Sequence, residues 1–164
     1  MGKYRLVIEM DEVLVESRTR HLMPPDGNEL VEKASPSIVN GFSAQKLPRA
    51  GSEVAIMMIS RRYDVIIVSA EAIRNPSTVP VRMAWLNRNF SELKFLHYEC
   101  NRDIKSLSPD VYLSNRVGSF DRLQGLGILF STPDNLDDDW PCRIESWGHA
   151  SGYLMDIALC LDFL

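Results

Sequence analysis

Cysteine is scarce and odd in number: Cys100, Cys142 and Cys160 are widely spaced and form no C-x-x-C pair. That pattern supplies neither a disulfide framework nor a structural zinc site, and it fits a reducing, cytoplasmic setting. No apolar run approaches the roughly 20 residues that span a bilayer, and the residues after Met1 carry no signal-peptide core. A basic excess is missing too. Lys and Arg number 18 against 22 Asp and Glu, for a net charge of −4 and a pI near 5.4. The electrostatic footprint of a nucleic-acid binder is therefore absent, and no membrane or nucleic-acid polymer is expected as partner. Internal repeats and low-complexity segments are lacking as well. What remains is 164 residues, 45% hydrophobic and 24% charged, enough for one buried core and a single domain, 1–164.

The most informative stretch is Arg5-Leu6-Val7-Ile8-Glu9-Met10-Asp11-Glu12-Val13-Leu14-Val15. A short apolar run stops at two carboxylates spaced i, i+2, and apolar residues then resume. Such a run reads as a buried parallel strand, and acids just past its carboxyl end sit where open α/β sheets hold ligands. Side chains alternate in extended chain, so Glu9 and Asp11 can point into one crevice.

This segment resembles the first motif of the haloacid dehalogenase (HAD) phosphatases, hhhDxDxxh. It is most similar to that of the 5'(3')-deoxyribonucleotidase (cytosolic 5'-nucleotidase type C) family, whose DMDEVL appears as Glu9-Met10-Asp11-Glu12-Val13-Leu14. The one departure, Glu9 for Asp, falls on the family's nucleophile.

Residues 17–47 hold Pro24-Pro25-Asp26-Gly27-Asn28 and Ser35-Pro36-Ser37, with one short helical candidate over Glu29 to Ala34. Proline and glycine at this density read as loop and turn. The resemblance places a helical cap here, and the length available implies a reduced one. Gly41-Phe42 through Arg49-Ala50-Gly51 resembles the family's return into the core. Ser52 is a candidate N-cap for a helix from Glu53 to Arg62, with cations at its end, and Met57-Met58 read as core packing. Asp64 to Ala70 is a second buried strand. Pro76 to Pro80 reads as loop and Val81 to Asn89 as a helix bearing Met83, Trp85 and Leu86, the Trp-Leu pair matching the family. Phe95 to Tyr98, Val111 to Leu113 and Gly127 to Phe130 are further strands, Phe120 to Gln124 a short helix, and Asn135 to Asp139 an acidic loop. Gly148 to Leu164 reads as a closing helix, with Tyr153, Leu154, Ile157, Ala158 and Leu161 at core-facing spacing. Strands alternating with helices predict a doubly wound sheet. The expectation is an α/β, HAD-like (Rossmannoid) three-layer fold with a five-stranded, mainly parallel sheet and the reduced cap.

The resemblance implies a set of roles. Glu9 stands at the nucleophile position and Asp11 at that of the general acid/base, both of them magnesium ligands. Ser69 stands at the phosphate-binding hydroxyl. Lys105 or Arg102 would be the phosphate-binding base, Lys105 favoured, although neither keeps the family's offset from Asp110. The family's D-x-x-I-D-D reads Asp110-Val111-Tyr112-Leu113-Ser114-Asn115, so Ser114 and Asn115 replace both metal acids. Magnesium dehydrates reluctantly and is usually held by carboxylates, so its site should be weak or lost. The extra methylene of Glu9 moves its carboxylate by roughly 1–1.5 Å, and misplacing a reacting atom by about 1 Å can cost on the order of 10²-fold.

Bland readings stand beside these. Asp11 can be a turn-former, Ser69 a strand-end cap, and Lys105 and Arg102 surface cations. Asp137-Asp138-Asp139 reads as solvated loop, and His21, His97 and His149 share no ligand spacing. Cys100 has no neighbouring His and reads as a small core residue. Two functions follow. The chain is either a nucleotidase-like scaffold, impaired or inactive, that binds a nucleotide, a small phosphate ester or a protein, or it is a working magnesium-dependent 5'-nucleotidase/phosphomonoesterase using Glu9. A plain interaction module, built on Leu22, Met23 and Ile38, is the weakest alternative.

Overall fold

Leu6-Val7-Ile8 form the centre of strand β1 (Tyr4–Glu9), which is buried from Leu6 to Glu9. In the computed structural model, which describes residues 2–15, 38–39, 42–43, 46–91, 93, 97–99, 104–121 and 123–163, β1 lies inside a six-stranded sheet. The short strands β2 (Ile38–Val39) and β3 (Phe42–Ser43) form a separate antiparallel pair. The remaining strands are β4 (Tyr63–Val68), β5 (His97–Glu99), β6 (Val111–Ser114), β7 (Leu126–Phe130) and β8 (Arg143–Ile144). The large sheet runs β5-β4-β1-β6-β7-β8, and every pairing in it is parallel. β4 and β5 lie to one side of β1 and β6 to β8 to the other, so the winding reverses beside β1. Open α/β sheets bind ligands at the carboxyl ends next to such a reversal.

Period-two alternation divides the core. Leu6, Ile8, Val65, Ile67, Val111, Leu113, Ile128 and Phe130 pack on one face of the sheet. Val7, Val68, Tyr112 and Leu129 pack on the other, with Leu107 and Phe120. Glu9, two residues beyond Val7, continues onto the Val7–Tyr112 face.

Helices α1 (Ser52–Ile59), α2 (Ala70–Arg74), α3 (Val79–Asn89) and α4 (Trp147–Leu161) complete the described elements. α4 buries Trp147, Ala150, Leu154 and Ala158, while Tyr153, Ile157 and Leu161 pack at its margin, as the spacing predicts.

Several expectations need correction. The sheet has six strands rather than five, because the two-residue β8 is too short to leave a sequence pattern. α1 ends at Ile59 and is capped by Gly51, with Ser52 buried inside the helix. Its buried stripe is Ala55, Ile56 and Ile59, so Met57 and Met58 stand 51% and 44% exposed rather than in the core. Pro76–Thr78 is a 3-10 turn, and Pro80 falls in the first turn of α3, where a missing N–H costs nothing. α2 went unforeseen, and the helix expected from Phe120 is a 3-10 turn over Val117–Phe120. Most of the cap region, with Leu22 and Met23, lies outside the described residues, as do His21, Cys100 and Arg102.

Candidate functional site

After β1 the chain makes a tight loop. Met10 N–H donates to Val68 O at 2.7 Å, Leu14 N–H returns to Met10 O at 3.0 Å, and Glu12 N–H bonds Val15 O at 2.8 Å. Glu12 adopts the left-handed region, φ 63°, and pairs with Arg49 at 3.6 Å. Trp147 Nε1 donates to Val13 O at 2.8 Å. These bonds fix where Asp11 points.

Glu9 is 1% exposed. Its Oε1 accepts Ala70 N–H at 2.9 Å, and its Oε2 accepts the Tyr112 hydroxyl at 3.2 Å. Burial pushes its pKa up from the ordinary 4.5 to about 7. The negative charge of Asp11 adds to the rise, and Ala70 N–H, Arg116 and Tyr112 oppose it. The protonated form is therefore accessible near neutral pH.

Asp11 is tied at both oxygens. Ser69 Oγ donates to Oδ2 at 2.6 Å, and Arg82 Nη1 donates to Oδ1 at 2.5 Å. Ser69 also caps α2, accepting Ala72 N–H at 3.1 Å, so its expected capping role and its place beside the acids coexist. Arg82, on α3, is 2% exposed. Its Nε faces Thr78 Oγ1 at 3.3 Å, and its guanidinium lies 4.3 Å from the Phe42 ring centroid.

On the other side of β1, Ser114 is buried at the end of β6. Its Oγ accepts Arg116 N–H at 3.3 Å, and the Tyr112 hydroxyl lies against it. Asn115 gives its backbone carbonyl to Asn135 Nδ2 at 2.8 Å. Asn135 also binds Phe130 O at 2.8 Å and Thr132 N–H at 2.9 Å, which clamps the loop after β7 onto the loop after β6. Arg116 is exposed, and its charge reaches Glu9.

The fold thus bonds Ser69 directly to Asp11, holds Glu9 beside them through the Ala70 N–H, and links Ser114 to Glu9 through Tyr112. Lys105 lies in the 3-10 turn Ile104–Leu107, and its side chain is outside the described set. Sequence reasoning overlooked Arg82, Tyr112 and Arg116. Arg82 left a signal: it precedes Trp85 and Leu86 by three and four residues, so a cation sits on the buried stripe of a helix.

Magnesium takes octahedral oxygen ligands, usually including one or two carboxylates. The donors here are a buried Glu9 already bonded to Ala70 N–H and Tyr112, an Asp11 engaged at both oxygens, and neutral Ser114 and Asn115. This set does not fit that ion. Asp137, Asp138 and Asp139 are exposed, and among the described residues no three His, Cys, Asp or Glu are placed to hold a metal. A cavity of about 300 Å³ is lined by Ile67, Met83, Leu86, Phe90, Leu93 and Tyr98 among others, and none of the site carboxylates faces it. No helix among the described residues is long and apolar enough to cross a membrane.

Residues 37–158 match the sequence profile of the 5' nucleotidase, deoxy (pyrimidine), cytosolic type C proteins. Over 97 residues the chain is 20% identical to a 5'(3')-deoxyribonucleotidase of Bacillus subtilis (strain 168), covering 59% of this chain and 56% of that protein. The 5'(3')-deoxyribonucleotidase of Bacillus phage SPbeta gives the same figures. The chain therefore spans about half the length of the curated relatives it matches. The profile match includes Ser69, Arg82, Ser114 and Asn115 and begins beyond Glu9 and Asp11.

Proposed function

The chain belongs to the cytosolic type C deoxyribonucleotidase family, and from that premise we propose that it is a HAD-like member whose magnesium-dependent turnover is impaired or lost and which acts by binding a nucleotide or small phosphate ester. The observation that carries this reading is the state of Asp11. A general acid/base must exchange protons with the leaving oxygen and with water. Here one oxygen accepts from Ser69 and the other is held by a buried guanidinium. Glu9 adds to the loss, since a readily protonated, hydrogen-bonded carboxylate is a poor nucleophile. Neutral Ser114 and Asn115 withdraw the charge that would attract magnesium.

A second reading has one observation in its favour. Glu9, Asp11 and Ser69 stand together at the neighbouring ends of β1 and β4, with Ser69 bonded to Asp11, so a working phosphomonoesterase with Glu9 as nucleophile keeps its basic layout. Phosphate release from an aryl phosphate and from deoxynucleoside monophosphates, with and without magnesium, separates the two. The wild type is expected to be silent, and the combined variant Glu9→Asp, Ser114→Asp, Asn115→Asp to recover magnesium-dependent turnover. Magnesium-dependent turnover by the wild type, abolished in Asp11→Asn, would overturn the proposal.

A further inference from the structure

Resting on the reading that this crevice binds a phosphorylated ligand, we infer that it takes a phosphomonoester directly on guanidinium groups, with Arg82 and Arg116 supplying the positive charge and no divalent cation in the complex. Relative to the family pattern, Ser114 and Asn115 remove two negative charges. Leaving out one magnesium removes two positive charges, so the sum at the site is unchanged. The remaining carboxylates, Glu9 and Asp11, face two cations already in place. Arg82 is paired with Asp11 inside the protein, and Arg116 stands just past Ser114-Asn115 with its charge reaching Glu9.

Geometry adds donors. Arg82 spends Nη1 on Asp11 and Nε on Thr78, and its Nη2 has no partner among the described residues. The Arg116 guanidinium likewise makes no hydrogen bond to a described residue, and its side chain is exposed. A phosphomonoester carries about −1.5 to −2 charge at pH 7 and three acceptor oxygens, and planar guanidinium forks match such oxygens. Arg82 is held by Phe42, Thr78 and Asp11, while Arg116 is exposed and its backbone N–H is bonded to Ser114 at the end of β6.

The test is calorimetric titration of the full chain with inorganic phosphate and with thymidine 5'-monophosphate, in EDTA and in magnesium, while phosphate release is followed in the same samples. Equal affinity in the two buffers is expected, falling with added salt. Arg116→Gln, at an exposed position, should weaken binding by roughly tenfold, the loss of one charge-assisted contact. Arg82→Lys keeps the buried charge but loses the Nη2 donor, and should weaken binding similarly while leaving the thermal midpoint near that of the wild type. Binding that appears only with magnesium would overturn this inference and leave the ligand-binding reading intact. Unchanged affinity in both variants would also overturn it, and no binding in either buffer would overturn both it and the ligand-binding reading. Magnesium-dependent release of phosphate from the nucleotide would instead overturn the reading on which it rests.

Discussion

Replacing Arg82 by Met tests whether the cation on α3 holds the site together. The guanidinium is 2% exposed and its Nη1 lies 2.5 Å from Asp11 Oδ1, whose side chain keeps 16% exposure. Removing one partner of a fully buried pair costs about 3–5 kcal/mol, mostly because the other charge is left uncompensated. Methionine preserves much of the stem packing against Phe42, and Asp11 retains some access to water. The loss should therefore fall at the lower end, about 3 kcal/mol. For a chain of this size that is a drop of about 6–12 °C in thermal midpoint. Urea unfolding of the wild type, Arg82→Met, Asp11→Asn and the double variant provides the check. In the double variant neither charge is stranded, so the two losses should fall short of additivity by about 2 kcal/mol. Strict additivity, or an Arg82→Met variant within about 0.5 kcal/mol of the wild type, would refute the claim that the pair is a structural clamp.

Two further perturbations probe the surroundings. The folded pKa of Glu9, about 7 against an ordinary 4.5, means that the folded state holds the proton more tightly. The stability contributed by the neutral side chain is fully present below pH 4.5 and is lost as pH rises through 7; the loss amounts to about 3 kcal/mol. Glu9→Gln should therefore gain on the wild type between pH 5 and pH 8, and a difference independent of pH would show that Glu9 is not desolvated. Gly127→Ala would place a Cβ 2.6 Å from the Phe120 ring, which packs at 5.9 Å on Tyr112 and 4.7 Å on Trp140. It should cost about 1–3 kcal/mol and shift the Trp140 fluorescence, whereas Gly118→Ala, in open space, should do neither.

Much of the sheet was legible because its strands are short apolar runs whose ends carry polar residues. β1, β4, β6 and β7 fall within a residue or two of where the pattern puts them. β8 was not legible, because Arg143–Ile144 contributes only two residues and one buried side chain. The Met57-Met58 pair misled because methionine is apolar in any register, while the helix turns by 100° per residue and buries Ala55, Ile56 and Ile59 instead. At the site, Glu9, Asp11 and Ser69 could be placed together because they end neighbouring strands. Arg82 was hidden because its partner lies 71 residues away, a separation that no local pattern encodes. Tyr112 was hidden for a related reason, reading as an ordinary strand residue until β6 is known to lie beside β1.

The departures from the family pattern make physical sense as a set rather than singly. Glu9 is deeply buried and faces neutral Ser114 across the Tyr112 hydroxyl, with Ala70 N–H, the Arg116 charge and Tyr112 O–H stabilising its charged form. Restoring Ser114→Asp alone would add a carboxylate beside one that is already desolvated, and like charges in such a place disfavour ionisation of one another. Restoring Asn115→Asp alone would do the same on the Asn135-clamped loop, with Arg116 the nearest described compensation. Conversely, keeping both acids would set four carboxylates against two cations, Arg82 and Arg116, an excess of negative charge that a dication would balance. With Ser114 and Asn115 neutral, the buried Arg82–Asp11 pair balances its own charge within the chain.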